Sequence, residues 1–257
     1  MNWSNVAIAN KLFHIYLGSP EVPADKRHLI PQANRITPAN TRIRLKILPY
    51  LSRLEKEAIL FPGSIQVIFN SLYDVNTNPK LKLQALNFAL AIVRRSDIQT
   101  MNKMGGMLYT GLLKLVWNTE ESENLRVVGY TIIGQIVKRL PHIINKNLIE
   151  LQVFFENLSC DQIEIRNAVR DSLLTMIDAF KMFMKDERNK MEVDEEPGKE
   201  SKDALTNREL IMMALLSSQI EAREPMARFV AVKYTAAVFH SDHVQSRYLL
   251  LLSAGDS

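Results

Sequence analysis

The same amphipathic pattern returns about every 40 residues along this 257-residue chain, and that repetition limits the folds open to it. The pattern is read from a basic residue, here called the anchor. Apolar or small side chains lie one residue before the anchor and 3, 7, 10 and 11 residues after it. Because an α-helix has about 3.6 residues per turn, these positions line one face of a helix. The anchors are Arg44, Lys82, Arg126, Arg166 and Arg228.

The match between the copies is close. Lys82, Arg126, Arg166 and Arg228 are each followed by the complete pattern, whereas the copy at Arg44 fails at its last position, Glu55. The position three residues after the anchor is Ala85, Gly129 or Ala231 in three copies. We expect such small residues to let a neighbouring helix approach closely.

The spacing between anchors predicts the architecture. It is 38, 44 and 40 residues from Arg44 through Lys82 and Arg126 to Arg166, which is too long for one helix and suits a pair of antiparallel helices. The intervening segments each carry an apolar stripe of their own: GSIQVIFNSLY, GGMLYTGLLKLVW and NLIELQVFFENL. A helix pair cannot bury its stripe alone, so the pairs are predicted to stack. The predicted fold class is therefore all-α, an α-solenoid of antiparallel helix pairs.

Local signals mark the predicted helix ends. Asn78-Pro79 combines a capping side chain with a proline at the first helical position. Pro141 is expected to end the helix that begins near Glu123, and Thr206-x-x-Glu209 has the form of a capping box. Gly105-Gly106 is interpreted as a helix start, because the lysine and hydroxyl residue of a phosphate-binding loop do not follow it.

One long interval separates Arg166 from Arg228, at 62 residues instead of about 40. The excess falls on Asp186 to Asp203, where eight acidic and four basic residues leave little apolar surface to bury. The sequence therefore predicts helical repeats over 1–185, an acidic disordered insertion over 186–205, and a continuation of the solenoid over 206–257. The insertion is interpreted as a solvated tether, with a regulatory or docking segment as the alternative.

Composition excludes several classes of protein. A single cysteine, Cys160, rules out an internal disulfide scaffold, and the lack of a long apolar run predicts no membrane insertion. The net charge of +4 is slight for this length. Basic residues cluster near the N-terminus without a nucleic-acid module, which favours a solvated face or an acidic protein partner over nucleic acid. They are Lys26, Arg27, Arg35, Arg42, Arg44, Lys46 and Arg53.

No group of residues has the pattern of a catalytic, cofactor or metal site. His240 and His243 are the best-spaced histidines, but they lie in an expected turn and offer fewer ligands than zinc requires. Cys160 has no histidine at a telling spacing and is interpreted as a minor core or surface thiol. The sequence therefore predicts a protein that is not an enzyme and needs no cofactor.

The repeat resembles HEAT repeats in its period, its apolar-arginine pair and its small residue three places later. Beyond the repeat, four segments are similar to the N-terminal portion of the extracellular-mutant family of proteasome adaptor and scaffold proteins. They are TRIRLKILPYLSR, LFPGSIQVIFNSLYDVNTNPKLKLQALNFALAIVRRS, GGMLYTGLLKLVWNTEESENLRVVGYTIIGQIVKRLPHII and SDHVQSRYLLLLSAGDS. Members of that family are several times longer, so the chain is expected to be a fragment. Its uncapped end is expected to make the chain self-associate or be poorly soluble.

The resemblance implies a non-catalytic adaptor that binds 26S proteasome subunits in the cytoplasm and nucleus, with further pools at the ER, endosomes or centrosome. It also implies that the five anchors are structural, bonding turn carboxylates and carbonyls of neighbouring repeats. The alternative is a karyopherin-like HEAT-repeat cargo carrier or another protein-binding scaffold. The partner-binding residues stay unassigned.

Overall fold

The computed structural model describes residues 3–19, 36–54, 62–75, 77–146, 148–194 and 207–239. Within these ranges it contains ten α-helices, one short 3₁₀ helix and no strand. The helices are α1 (Trp3–Leu17), α2 (Thr41–Arg53), α3 (Gly63–Tyr73), α4 (Pro79–Arg95), α5 (Ile98–Trp117), α6 (Glu123–Arg139), the 3₁₀ helix (Pro141–Lys146), α7 (Leu148–Asn157), α8 (Ile163–Asp194), α9 (Asn207–Ile220) and α10 (Pro225–Val238).

The chain divides into two compact units, residues 1–132 and residues 133–257. In the first unit, α1 packs against α2 and α3 against α4, and both pairs are made of helices adjacent in the chain. Alternate helices also pack together: α1 with α3, α2 with α4, and α3 with α5. Equivalent helices of successive pairs therefore lie side by side in this unit, which is the packing of an α-solenoid.

The second unit repeats this arrangement within itself. Helix α7 packs against α8 and α9 against α10, while α7 also contacts α9 and α8 contacts α10. The 3₁₀ helix packs on α8. The predicted all-α solenoid of helix pairs is confirmed in each unit.

The predicted stripe forms the core that the paired helices share. In α4, α6, α8 and α10 nearly every stripe position is buried, as are two positions in α2. The buried stripe residues are Ile47, Leu51, Leu81, Ala85, Ala89, Ile92, Val93, Leu125, Gly129, Ile133, Ile136, Val137, Ile165, Val169, Leu173, Met176, Ala227, Ala231, Val238 and Phe239. Thr235 and Ile177 are half-buried.

Ile43 departs from the predicted stripe, because 43% of its surface is exposed. Its equivalent in α4, Leu81, is completely buried. Arg44 reaches toward the turn between α3 and α4. Ile43 precedes Arg44 in α2, so its side chain leaves the helix about 100° around the axis from that of Arg44. Ile43 therefore lies at the edge of the buried face of α2 and reaches solvent.

Two predicted helix ends are confirmed. The Asn78 side chain accepts a hydrogen bond of 2.8 Å from the Leu81 amide, with Pro79 at the first helical position of α4. Helix α6 begins at Glu123 and ends at Arg139, and the chain continues from Pro141 as a 3₁₀ helix. Thr206 of the expected capping box lies outside the described residues.

The interpretation of Gly105-Gly106 as a helix start is wrong. Both glycines lie inside α5, which begins eight residues before Gly106 at Ile98. Asp97 is the N-cap, and its carboxylate accepts a hydrogen bond of 2.7 Å from the Thr100 amide. That capping bond stabilises the helix start, and the following turns then include the glycines despite their low helix propensity.

Helix α8 is longer than the sequence analysis predicted. It continues to Asp194, so residues 186–194 of the expected insertion have a helical backbone. These residues are rich in Lys, Glu, Arg and Met, which are good helix formers, and they follow a helix that is already established. Residues 195–206 lie outside the described residues, and the division into three segments stays a prediction.

Gly129 occupies a close approach between α6 and α5. A Cβ atom at this position would lie 2.6 Å from Val116 Cγ1 and 3.2 Å from Leu115 Cδ2. Gly129→Ala is therefore expected to lower the free energy of unfolding by about 1–3 kcal/mol through overpacking. Gly106→Ala is the matched control, because nothing lies within 4 Å of its Cβ position. Removing that helical glycine should stabilise by about 0.5–1 kcal/mol. Denaturant unfolding of both variants measures the difference, and a gain at Gly129 would contradict the close packing.

Candidate functional site

Three of the five anchors form ion pairs between successive helix pairs. A terminal guanidinium nitrogen of Arg44 in α2 lies 2.8 Å from Oδ2 of Asp74, in the turn between α3 and α4. Lys82 in α4 bonds to Glu121, in the turn between α5 and α6. In the second unit, Arg166 in α8 bonds to Oε2 of Glu224 at 3.0 Å, in the turn between α9 and α10.

Together these pairs follow one rule. Each anchor lies in the second helix of a pair, and each carboxylate lies in the turn of the next pair. We call this contact the anchor clamp. It joins neighbouring pairs at the ends where their helices turn.

The other two anchors bond carbonyl groups within their own helix pair. Arg126 Nε donates to the Val116 carbonyl at 3.0 Å, in the last turn of α5. Arg228 donates to the carbonyls of Ala222 and Arg223, each at 2.8 Å, in the turn before α10. Carbonyls at a helix end lack partners within the helix, so a basic side chain there satisfies them and fixes the turn.

Arg44 is the most enclosed of the charged anchors, with 3% of its side chain exposed. Its guanidinium carbon lies 5.2 Å from the ring centre of Tyr16 in α1, within the range of a cation–π contact. The Tyr16 hydroxyl in turn bonds to Ser71 of α3. Burial raises the pKa of Tyr16 above its ordinary value of 10.0. Arg44 thus connects α1, α2 and the turn after α3.

The buried Nε atoms of Arg44 and Arg166 have no hydrogen-bond partner in the described part of the chain. Each guanidinium is therefore held by its terminal nitrogen and by packing. A polar group left buried in this way offsets part of what the ion pair contributes.

A double-mutant cycle measures the anchor clamp directly. Arg166→Ala and Glu224→Ala are each expected to lower the free energy of unfolding by about 1–2 kcal/mol, because each leaves a partly buried charge without its partner. The coupling between them should be about 0.5–1 kcal/mol. Arg170 and Asp171 form the matched control, since their ion pair is more exposed, at 34% and 66% of the two side chains. Their coupling should be below about 0.5 kcal/mol, and equal couplings would contradict a structural role for the clamp.

A cleft of about 360 Å³ opens at the turns of the first unit. The Tyr73 hydroxyl donates to the Gly111 carbonyl at 2.5 Å, and Lys114 Nζ lies 5.3 Å from the centre of the Tyr73 ring. Burial and the charge of Glu121 raise the pKa of Tyr73 to about 12. The cleft is lined by Leu72, Tyr73, Asp74, Thr77, Lys82, Lys114, Leu115, Asn118 and Glu121.

Both lysines of this cleft contact other residues of its lining. Lys82 bonds to Glu121, Lys114 faces the Tyr73 ring, and Tyr73 stays protonated at neutral pH. These contacts, with the bond from Tyr73 to Gly111, join α3 and α4 to α5 and to the turn that follows it.

The raised pKa values of Tyr73 and Tyr234 predict sensitivity to alkaline pH. Burial raises the pKa of Tyr234 well above 10.0. A tyrosine with a raised folded pKa contributes stability that is complete below the unfolded value of about 10 and is lost as pH rises toward the folded value. We expect the free energy of unfolding to fall between about pH 10 and 12, and to fall less in Tyr73→Phe. Denaturant titrations across that range measure it, and an unchanged slope in Tyr73→Phe would contradict the assignment.

The remaining candidates of the sequence analysis are Cys160 and the pair of histidines, His240 and His243. Cys160 lies half-buried in the turn between α7 and α8, and its thiol donates to the Gln162 carbonyl at 3.5 Å. His240 and His243 lie outside the described residues. Within the described ranges, no three His, Cys, Asp or Glu side chains are grouped so that they could hold a metal ion. Among the helices searched there, none is both long and apolar enough to cross a membrane.

The acidic partners of the clamps were not identified from the sequence, although a signal for them exists. Asp74, Glu121 and Glu224 precede the next anchor by eight, five and four residues, respectively. The interval varies because the turns differ in length. A search for a carboxylate in the turn before each anchor, with no fixed interval, would have found all three.

Two curated relatives cover this chain from end to end. The "Proteasome adapter and scaffold protein ECM29" of Homo sapiens is 33% identical over 256 residues, which are 100% of this chain and 13% of that protein. The "Proteasome-associated protein ECM29 homolog" of Drosophila melanogaster is 24% identical over 257 residues, again 100% of this chain and 13% of that protein. The chain thus spans about an eighth of the length of these relatives. No solved structure matches it.

A family model matches almost the whole chain. It is described as proteasome component ECM29, N-terminal, and it covers residues 1–253. The stacked helix pairs agree with the α-solenoid that the resemblance to HEAT repeats implied. The chain belongs to the family of the proteasome component ECM29, N-terminal region.

Proposed function

We propose that this chain is a non-catalytic adaptor and scaffold segment that binds the 26S proteasome and supports its assembly, stability or localisation. The observation that carries the proposal is the family match over residues 1–253. The names of both relatives, a proteasome adapter and a proteasome-associated protein, support it. The proposal extends to this segment a role that those names give to proteins about eight times longer.

The geometry of the described residues is compatible with holding a partner. The anchors are used inside the fold, on turn carboxylates and carbonyls, and leave the outer helix surfaces available for contact. Stacked helix pairs present extended surfaces whose side chains can vary without disturbing the core. Binding by such a surface requires no reactive group, which supports a role without catalysis.

We also propose that the chain acts in the cytoplasm and nucleus, where proteasomes are found, with further pools at the ER, endosomes or centrosome. This rests on the proposed proteasome association. Fluorescence of the tagged chain alongside a tagged proteasome subunit tests it, and separate distributions of the two would contradict it.

Affinity purification of the tagged chain from cell extract, followed by mass spectrometry, tests the partner. We expect 26S proteasome subunits to be enriched over a tag-only control and over the destabilised Ile133→Asp variant. Recovery of a nucleotide-loaded nuclear-transport GTPase and import cargo without proteasome subunits would instead identify a karyopherin-like carrier. Either that result or the absence of both classes would contradict the proposal.

A further inference from the structure

The outer surfaces of α2 and α4 have an unusual charge distribution. Helix α2 carries four basic residues and helix α4 carries four, and neither contains an aspartate or glutamate. Arg44 and Lys82 are used in anchor clamps. The other six are exposed, and no ion pair in the described part of the chain joins them to an acidic residue. We call them the basic face: Arg42, Lys46, Arg53, Lys80, Arg94 and Arg95.

The two helices bring these residues together in one surface. Helices α2 and α4 pack against each other. At their beginnings, Arg44 of α2 bonds to Asp74, five residues before α4 starts. At their ends, Arg95 of α4 donates to the Ser52 carbonyl of α2 at 3.4 Å. The helices therefore run in the same direction, side by side, and α4 with its 17 residues gives the face a length of about 25 Å.

Helix stability accounts for only part of this arrangement. Arg53, Arg94 and Arg95 lie in last turns, where basic residues complement the partial negative charge of a helix C-terminus. Arg42 and Lys80 lie in first turns, where that charge is positive and a basic residue is unfavourable. Six like charges on one surface also repel one another. Helix stability thus explains Arg53, Arg94 and Arg95 but not the other three, and a surface that keeps all six charges despite their repulsion has the character of a binding surface.

The apolar residues beside the basic face indicate the kind of partner. Ile43 and Tyr50 are exposed by 43% and 59%, and they lie two turns apart on the same edge of α2. Arg53 lies over the Tyr50 ring, with 5.8 Å between the guanidinium carbon and the ring centre. Exposed tyrosine and arginine beside an aliphatic side chain are typical of the centres of protein interfaces. The phosphates of a nucleic-acid backbone could pair with the basic residues, but that backbone offers no apolar side chain to cover Ile43.

We propose that the basic face of α2 and α4 is a docking surface for an acidic segment of a partner protein, one that alternates carboxylates with apolar residues. Its carboxylates would pair with the arginines and lysines, since guanidinium groups bond carboxylates in a two-point geometry. Its apolar side chains would cover Ile43 and Tyr50. The inference rests on the charge and exposure of this face and is separate from the proposed proteasome role.

The test compares two variants of equal net charge. K46E/K80E changes one lysine on each helix of the basic face. K11E/K103E changes two exposed lysines on α1 and α5, outside the face. Lys80→Glu places an acidic residue in the first turn of α4, where it favours the helix, so loss of folding is not expected. Circular dichroism verifies that both variants are folded.

The probe is a fluorescein-labelled peptide of about 20 residues built from glutamate and leucine, long enough to span the face. Anisotropy titrations at about 0.15 M salt should show binding that K46E/K80E weakens by about tenfold and that K11E/K103E weakens by less than about threefold. A version of the peptide with glycine in place of leucine should bind more weakly. Replacing both Ile43 and Tyr50 by Ala should remove most of that difference.

Three outcomes would overturn the proposal. Equal weakening by the two double variants would show that only overall charge matters. A single-stranded oligonucleotide of matched length that binds the face more tightly than the peptide would assign the face to nucleic acid. Cross-links from Lys46 or Lys80 to the chain's own acidic run at 186–203, found without peptide, would make that run the occupant.

Discussion

Ile133→Asp is expected to lower the free energy of unfolding by more than about 3 kcal/mol. Ile133 lies in α6 at the predicted stripe position seven residues after the Arg126 anchor, and its exposed fraction is 0%. A carboxylate there loses its hydration, because Ile133 is fully buried in a stripe of mainly apolar residues. The variant must either bury the charge or protonate it, and both destabilise the fold.

Two controls accompany this measurement. Ile133→Val keeps the apolar character and should cost about 0.5–1.5 kcal/mol. Ile211→Asp makes the same chemical change at a position that is 53% exposed, and it should change stability by less than about 0.5 kcal/mol. Denaturant unfolding followed by circular dichroism compares the three variants. Similar effects at Ile133 and Ile211 would show that the stripe is assigned to the wrong face.

Tyr234→Ala is expected to cost about 3–5 kcal/mol, because Tyr234 joins three helices of the second unit. Its ring meets Phe155 of α7 edge-on, at 5.5 Å between centres, and lies 5.6 Å from Phe180 of α8. Its hydroxyl donates to the Leu173 carbonyl at 2.6 Å. Truncation removes both ring contacts and leaves a cavity among residues that are themselves buried.

The Tyr234→Phe variant separates packing from hydrogen bonding. It keeps the ring contacts and loses only the bond to Leu173, so it should cost about 1 kcal/mol. Tyr50→Ala, at a tyrosine that is 59% exposed, should change stability by less than about 0.5 kcal/mol. Thermal or denaturant unfolding of the three variants gives the order of their stabilities. A Phe variant as unstable as the Ala variant would contradict the importance of the aromatic packing.

The features that the sequence predicted are those encoded locally. Burial at Leu81, Leu125 and Ile165 follows from helical periodicity, and the start of α4 follows from the Asn78-Pro79 pair. Both kinds of signal lie within a few residues of the structure they determine. The repeat then predicts how pairs stack, because each pair has the same apolar face to bury.

The features that the sequence analysis missed depend on competition between signals. The glycine pair Gly105-Gly106 was interpreted as a helix start. The N-cap at Asp97 begins α5 earlier, and the helix continues through both glycines. At 186–194 the acidic composition predicted disorder, but helix formers continue α8 to Asp194. The clamp carboxylate Glu224 depends on a contact across 58 residues, which local patterns do not specify.

The basic face of α2 and α4 was only partly visible in the sequence. The N-terminal cluster of basic residues was recognised, including Arg42, Lys46 and Arg53. That Lys80, Arg94 and Arg95 lie beside them depends on the packing of α2 against α4. The exposure of Ile43 could not be anticipated, because its pattern position is buried in every other copy.

Direct binding between purified components tests the proposed function most sharply. The folded chain is titrated onto purified 26S proteasome, with the full-length human relative as a positive reference and the tag alone as the negative control. We predict saturable binding of the wild-type chain and none of the tag. If the wild-type chain is folded by circular dichroism and does not bind, while the full-length relative does, this segment is not a proteasome-binding part of its family.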